Sequence, residues 1–177
     1  DMTEYYHLQA DDDISLVVDH EVLETPGKYI DGEVYVDYET VHDRFNDRFY
    51  WDANENVLLY TLPDNLVTVA AGSNTYQVGK ENQSADYTIV RNDSNTMYLA
   101  LDFVEQYTNI THEVYEDPNR TVINTVWGDV DTAPAKKATQ LRLKGGIKSP
   151  IVKDLEKGET LTILDAGDRW TKAMTED

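Results

Sequence analysis

One apolar pattern occurs twice, 63 residues apart, and that spacing constrains the fold more than any other feature of the chain. Val34-Tyr35-Val36 is followed by Tyr38, Val41 and Phe45. Met97-Tyr98-Leu99 is followed by Leu101 and Val104, with Thr108 in the third place. Positions i, i+3 and i+7 share one helix face, so each stretch reads as a short strand running into a two-turn helix. Asp37 is placed to cap the first helix. Asn46 and Asn109 stand where the two helices should stop, and asparagine tolerates the left-handed conformation that closes a helix.

A hairpin pattern follows each helix. Phe49-Tyr50-Trp51 and Val57-Leu58-Leu59-Tyr60 flank the turn-forming run 52–56, and Glu113-Val114-Tyr115 and Thr121-Val122-Ile123 flank the run 116–120. Leading strands are expected at Ile14–Val18 and Leu66–Val69. The fold class expected is therefore α+β, built from two duplicated small units at 14–65 and 66–128 behind an acidic N-terminal tail at 1–13. A run of short strand patterns at 138–177, beyond a linker at 129–137, reads as an incomplete all-β SH3-like barrel.

Charge supports that division. The chain carries a net charge of -19, yet from Ala135 onward nine Lys/Arg face seven Asp/Glu, a balance of +2. The preceding 134 residues carry six against 27, a balance of -21. An acidic body repels phosphate backbones, which argues against nucleic acid as a partner. No run approaches the roughly 18 apolar residues of a membrane span. With no cysteine, disulfides, thiolate metal sites and cysteine nucleophiles are excluded. The Asn-x-Ser/Thr triplets at Asn82, Asn92, Asn109 and Asn119 are read as products of an Asn- and Thr-rich composition. The acidic, Tyr-rich start has neither the basic opening nor the apolar stretch of a signal peptide, so a processed or cut polypeptide is expected.

The run Asp31-Gly32-Glu33-Val34-Tyr35-Val36, its short helix, and Tyr50-Trp51-Asp52 with the closing strand resemble the copper amine oxidase-like N-terminal domain. The second unit resembles it less closely, lacking the glycine and the Trp-Asp pair. From Ala138 onward, Lys157-Gly158-Glu159 and the aromatic strand opening on Trp170 are similar to the bacterial SH3 (SH3b) domain. That family's closing segment would follow Asp177, so the native polypeptide is expected to continue. The resemblance implies an extracellular or cell-surface protein of Gram-positive type. In this arrangement the modules precede a secreted catalytic domain, with a family 18 glycoside hydrolase (chitinase-like) of clostridial-type bacteria the favoured pairing.

The residues themselves offer no catalytic set. The copper enzyme's own Asn-Tyr-Asp/Glu and His-x-His signatures are missing, and His7, His20, His42 and His112 are widely spaced. His42, next to apolar Val41, falls on the exposed side of its helix. Asp52-x-Asn54-x-Asn56 begins like a calcium loop, but Val57 and Pro63 replace the glycine and the bidentate glutamate. Asp11-Asp12-Asp13 is read as part of a solvated tail. No serine motif, chitinase-type carboxylate run or phosphate loop occurs, so no catalytic residue, cofactor or metal is expected.

Aromatic residues are the remaining candidates, because flat rings stack on sugars as well as on one another. Trp170, Trp51 and Tyr60 are the candidate glycan contacts, set against a core role that weighs more heavily for Trp51 and Trp127. The function expected is a non-catalytic targeting and spacing segment that contacts cell-wall glycan or peptidoglycan for a downstream catalytic domain. The alternatives are a structural or protein-interaction scaffold and an intramolecular regulator of that domain.

Overall fold

The computed structural model describes residues 2–125, 132–145, 149, 151–166 and 170–175. The chain divides into two compact units, Asp1–Val126 and Trp127–Asp177. Trp127, Gly128, Gly146 and Pro150 lie outside the described residues.

The first unit opens with a helical turn, α1 (Met2–Tyr5), then β1 (Asp13–Val18), β2 (Glu21–Val22), β3 (Gly27–Ile30) and β4 (Glu33–Asp37). α2 (Tyr38–Thr40) runs into a π-helical turn at Val41–Phe45. A meander follows: β5 (Phe49–Asp52), β6 (Val57–Thr61), β7 (Leu66–Ala70), β8 (Thr75–Val78) and β9 (Glu81–Ser84). The unit ends with β10 (Val90–Asp93), β11 (Thr96–Ala100), α3 (Leu101–Gln106), β12 (Thr111–Tyr115) and β13 (Arg120–Asn124).

These strands form two sheets. One has the order β10-β11-β4-β3-β1-β13-β12, with β2 also on β1; the other is the five-stranded meander β5-β6-β7-β8-β9. Only β1 and β13 pair in parallel among the described strands, with Ser15 opposite Arg120 and Val18 opposite Ile123. All six residues of β1 are buried, as suits a strand flanked on both edges and covered on both faces. β7 instead alternates, with Val67 and Val69 buried between more exposed neighbours. The first and last strands thus lie side by side, and Thr125 ties the end down by donating its N–H to Asp19 Oδ1 at 2.7 Å and its hydroxyl to Asp19 Oδ2.

The expected α+β fold of two duplicated units is not the one that forms. Strand accounts for 49% of the described structure against 12% helix, so the chain is mostly β. Both strand-to-helix motifs exist, and their strands are direct neighbours: Leu99 lies opposite Val36 in the β11–β4 pair. The hairpins after them diverge, because β5–β6 enters the meander while β12–β13 joins the larger sheet. The leading strands diverge too, with β1 in the larger sheet and β7 in the meander. Two repeats with different strand partners cannot superpose as units.

The first helix also departs from expectation. Asp37 caps it through Thr40 N–H at 3.0 Å, but the Asn46 N–H reaches back to Val41 O at 2.8 Å, an i→i+5 bond. Asn46 is extended, with φ -159°, rather than left-handed. Asn109 is not left-handed either. The second helix is shorter than read, closing at Tyr107, which leaves Thr108 beyond it.

One core joins the sheets of the first unit. Val34, Val36, Leu99 and Ile123 come from the larger sheet, and Phe49, Leu58, Val67 and Val69 from the meander. α3 supplies Leu101, Phe103 and Val104, all fully buried. Gly27 marks the closest approach of backbones within this core. A Cβ there would lie 2.4 Å from Tyr35 O, so no larger residue fits between β3 and β4.

The second unit contains β14 (Thr132–Pro134), β15 (Thr139–Arg142), β16 (Ile151–Leu155), β17 (Thr160–Ala166) and β18 (Thr171–Met174). In place of the expected incomplete barrel, its described strands form a three-stranded sheet β14-β17-β18 and a two-stranded ladder β15-β16. Thr132–Pro134, read as linker, pairs with β17. Gly158 turns β16 into β17 with φ +90°, a conformation that side chains other than glycine's rarely adopt.

Candidate functional site

Polar groups converge at one end of β4 in the first unit. Glu33 opens that strand and is only 8% exposed. The backbone N–H of Asp102, in the first turn of α3, donates to Glu33 Oε1 at 3.3 Å. Burial, then Asp102 beside it, pushes the Glu33 carboxyl up to about 8.

Around this pair stand Glu105 and His112. Asp102 and Glu105 are three residues apart on α3 and so lie on one helix face. His112, in β12, meets Glu105 through Nδ1 at 2.5 Å from Oε1. Burial of His112 opposes its charged form, but the Glu105 hydrogen bond and the charges of Glu105, Asp102 and Glu33 outweigh it, and its pKa rises. One donor atom from each of Asp102, Glu105 and His112 lies within 4.8 Å of the others, close enough for the three to share one ion. Tyr87 feels the same field: burial, then Glu33 and Asp102, push its hydroxyl up to about 12.

Glu33 also borders a surface cleft of about 280 Å³, together with Asp31, Tyr35, Asp86, Tyr87 and Arg91. Arg91 lies 5.1 Å over the Tyr35 ring and 3.5 Å from Asp31 Oδ2. Tyr35 donates its hydroxyl to Thr88 O at 2.8 Å, which fixes the ring as a wall. The cleft can offer carboxylates and hydroxyls as acceptors and a guanidinium as donor. It brings together no nucleophile and base of a hydrolytic triad.

The aromatic candidates fall in three different settings. Tyr60 is 4% exposed, lies 4.6 Å from Phe49 and 4.8 Å from Tyr107 between ring centroids, and donates its hydroxyl to Tyr107 O. It is a core residue and offers no ring face to a ligand. Trp51 is half-buried at the margin of the same core, beside the exposed Tyr50. Trp170, in the second unit, is 44% exposed and packs on Gly145, where an added Cβ would lie 3.0 Å from its Cγ.

Other residues singled out in the sequence find local explanations. Asp52 Oδ1 accepts the N–H groups of Asn54 and Glu55 at 3.0 and 3.2 Å, so the calcium-like run is a turn that satisfies its own carboxylate. Asp12 and Asp13, read as solvated tail, close on Lys28 Nζ at 3.0 and 2.8 Å. Exposed His42 sits against Asp43 at 2.9 Å, whereas His112 joins the carboxylate cluster. Sequence spacing missed that cluster. The available signal was Asp102 and Glu105 at i and i+3 with a histidine on the following strand.

Comparison with known proteins gives a family for this architecture. A family model described as the copper amine oxidase N-terminal domain matches residues 17–124. That span takes in both strand-to-helix motifs, both hairpins and the Val17–Val18 end of the parallel pairing of β1 with β13. No curated protein and no solved structure matches the chain. The domain is a non-catalytic accessory module in the enzymes for which it is named. With most of the first unit inside the match, the chain belongs to the copper amine oxidase N-terminal domain family.

Proposed function

We propose that this chain is a non-catalytic accessory segment of a secreted or cell-surface glycoside hydrolase of the family 18, chitinase-like type. Its role in this reading is to hold that enzyme at cell-wall glycan, peptidoglycan being the favoured surface. The observation that carries the reading is Trp170, an indole 44% exposed on the unit whose sequence is similar to SH3b domains. An indole packed on a glycine backbone has a stiff setting and an open face, which suits stacking on a sugar ring. The left-handed Gly158 in Lys157-Gly158-Glu159 supports the SH3b comparison, because the turn needs that residue.

Charge favours the same unit. Gram-positive walls carry anionic polymers, which repel the first unit at -19 but not the second, whose nine Lys/Arg balance nine Asp/Glu. Such steering is screened beyond about 8 Å at physiological salt, so contact stacking has to supply the affinity. Tyr60 is left out of the contact set because it is buried, and Trp51 is secondary to Trp170.

Co-sedimentation of the full chain with purified peptidoglycan tests the proposal. The wild type should pellet, and Trp170→Ala should lower apparent affinity roughly tenfold, with near-ultraviolet circular dichroism confirming that both remain folded. Failure of the wild type to pellet would remove wall targeting and leave the scaffold reading. Equal pelleting of the two proteins would displace Trp170 from the contact.

A further inference from the structure

We propose that Asp102, Glu105 and His112 form a binding site for one divalent transition-metal cation of the zinc class, with Glu33 as the carboxylate behind it. The three donors come from two elements that the fold fixes separately. α3 projects Asp102 and Glu105 from one face, and β12 carries His112 to meet them. Their donor atoms already lie within 4.8 Å of one another. Around an ion with bonds of roughly 2.0–2.2 Å, donors sit about 3–3.5 Å apart, so small side-chain rotations close the site.

Donor chemistry decides the class of ion. One imidazole nitrogen with two carboxylate oxygens suits zinc and its borderline neighbours. Calcium takes six to eight oxygen ligands and magnesium a near-ideal octahedron, and the cluster supplies neither. Asp102 is exposed, so the ion has an entry path and solvent can complete its shell.

A second, independent observation concerns Glu33. It is 8% exposed and touches Asp102, yet neither residue enters an ion pair among the described residues. His112, the cationic group beside them, is already paired with Glu105, so ionising both Glu33 and Asp102 calls for a further positive charge. An ion held by Asp102 would supply that charge.

The binding step balances as an exchange. The proton shared between His112 Nδ1 and Glu105 leaves to solvent, the Nδ1 lone pair binds the ion, and each carboxylate gives one oxygen. Affinity should therefore fall as pH is lowered. No electron changes hands.

Titration of the full chain with zinc chloride by isothermal calorimetry tests this. Saturable one-to-one binding is expected, with thermal stability raised on the order of 5–10 °C at a hundredfold excess over Kd. Asp102→Asn and His112→Gln should each weaken binding roughly tenfold or more, and His42→Gln should leave it unchanged. Calcium chloride should give no saturable heat. Because Asp102 is exposed, Asp102→Asn keeps the test alive if the histidine variant misfolds, which circular dichroism will show. The absence of saturable zinc binding would overturn the proposal. So would zinc binding of undiminished affinity in folded Asp102→Asn.

Discussion

Asp13 shows how one side chain can fix the entry of a chain into its core. It is 6% exposed, accepts the N–H groups of Gln9 and Ala10 at 2.9 and 2.8 Å, and pairs with Lys28 at 2.8 Å. Burial works against its charge, but Lys28 and the two backbone donors outweigh it and hold its pKa below the ordinary 3.8. A carboxylate with a depressed folded pKa stabilises the fold above the unfolded value and loses that contribution as pH falls through the folded one. Asp13→Asn should therefore cost about 2–4 kcal/mol near neutrality, because Lys28 keeps only Asp12. Urea unfolding across a pH series should show the gap from wild type closing below pH 3.8. A gap that ignores pH would contradict the account. The acidic run was legible in the sequence as charge, but its partner was not, since Lys28 lies 15 residues away on another strand. Asn46 teaches the same lesson. Its position at the helix end was legible, while its work is tertiary: Nδ2 donates to Thr108 Oγ1 at 2.9 Å and to Tyr107 O at 3.1 Å.

Among the elements, α3 buries three of its six residues, Leu101, Phe103 and Val104. Its Phe103 meets Tyr76 of the meander at 5.2 Å and Tyr107 at 5.5 Å between ring centroids, and lies 6.4 Å from Phe49. A six-residue helix thus supplies the hydrophobic contact between one sheet and the other. Phe103→Ala should cost about 3–5 kcal/mol, read as a lowered urea midpoint with an unchanged slope. Tyr50→Ala, at a residue 59% exposed, should move stability by no more than about 0.5 kcal/mol. Equal costs at the two positions would show that α3 is not the joint between the sheets. The hairpins β5–β6 and β12–β13 and both strand-to-helix motifs were legible, because turn residues and periodicity are local signals. Sheet membership was not. Alternation shows which face of a strand is buried but says nothing of its neighbour, and β1, buried on both faces, does not alternate at all. The candidate site was hidden for the same reason, since Glu33 and Asp102 are 69 residues apart and meet only through the β4–β11 pairing.

At the scale of the whole chain, the two units differ in charge and in kind. The first is an interleaved mixed-β body closed by its own ends, and it carries the family match and the Glu33–Asp102–Glu105–His112 cluster. The second is a small unit whose described elements are strands, with the half-exposed Trp170. The central structural claim is that Asp1–Val126 is one cooperative body rather than two tandem repeats. Interleaving makes that claim testable, because β1 from the first half is paired with β13 from the second. Native-state hydrogen exchange on the full chain measures it most directly. The slowest amides of β1, β7, β11 and β13 should exchange with one shared opening free energy, equal to that of global unfolding of the unit. Two separate values, one for strands before Leu66 and another for those after it, would mean that the halves open independently, and would contradict the account.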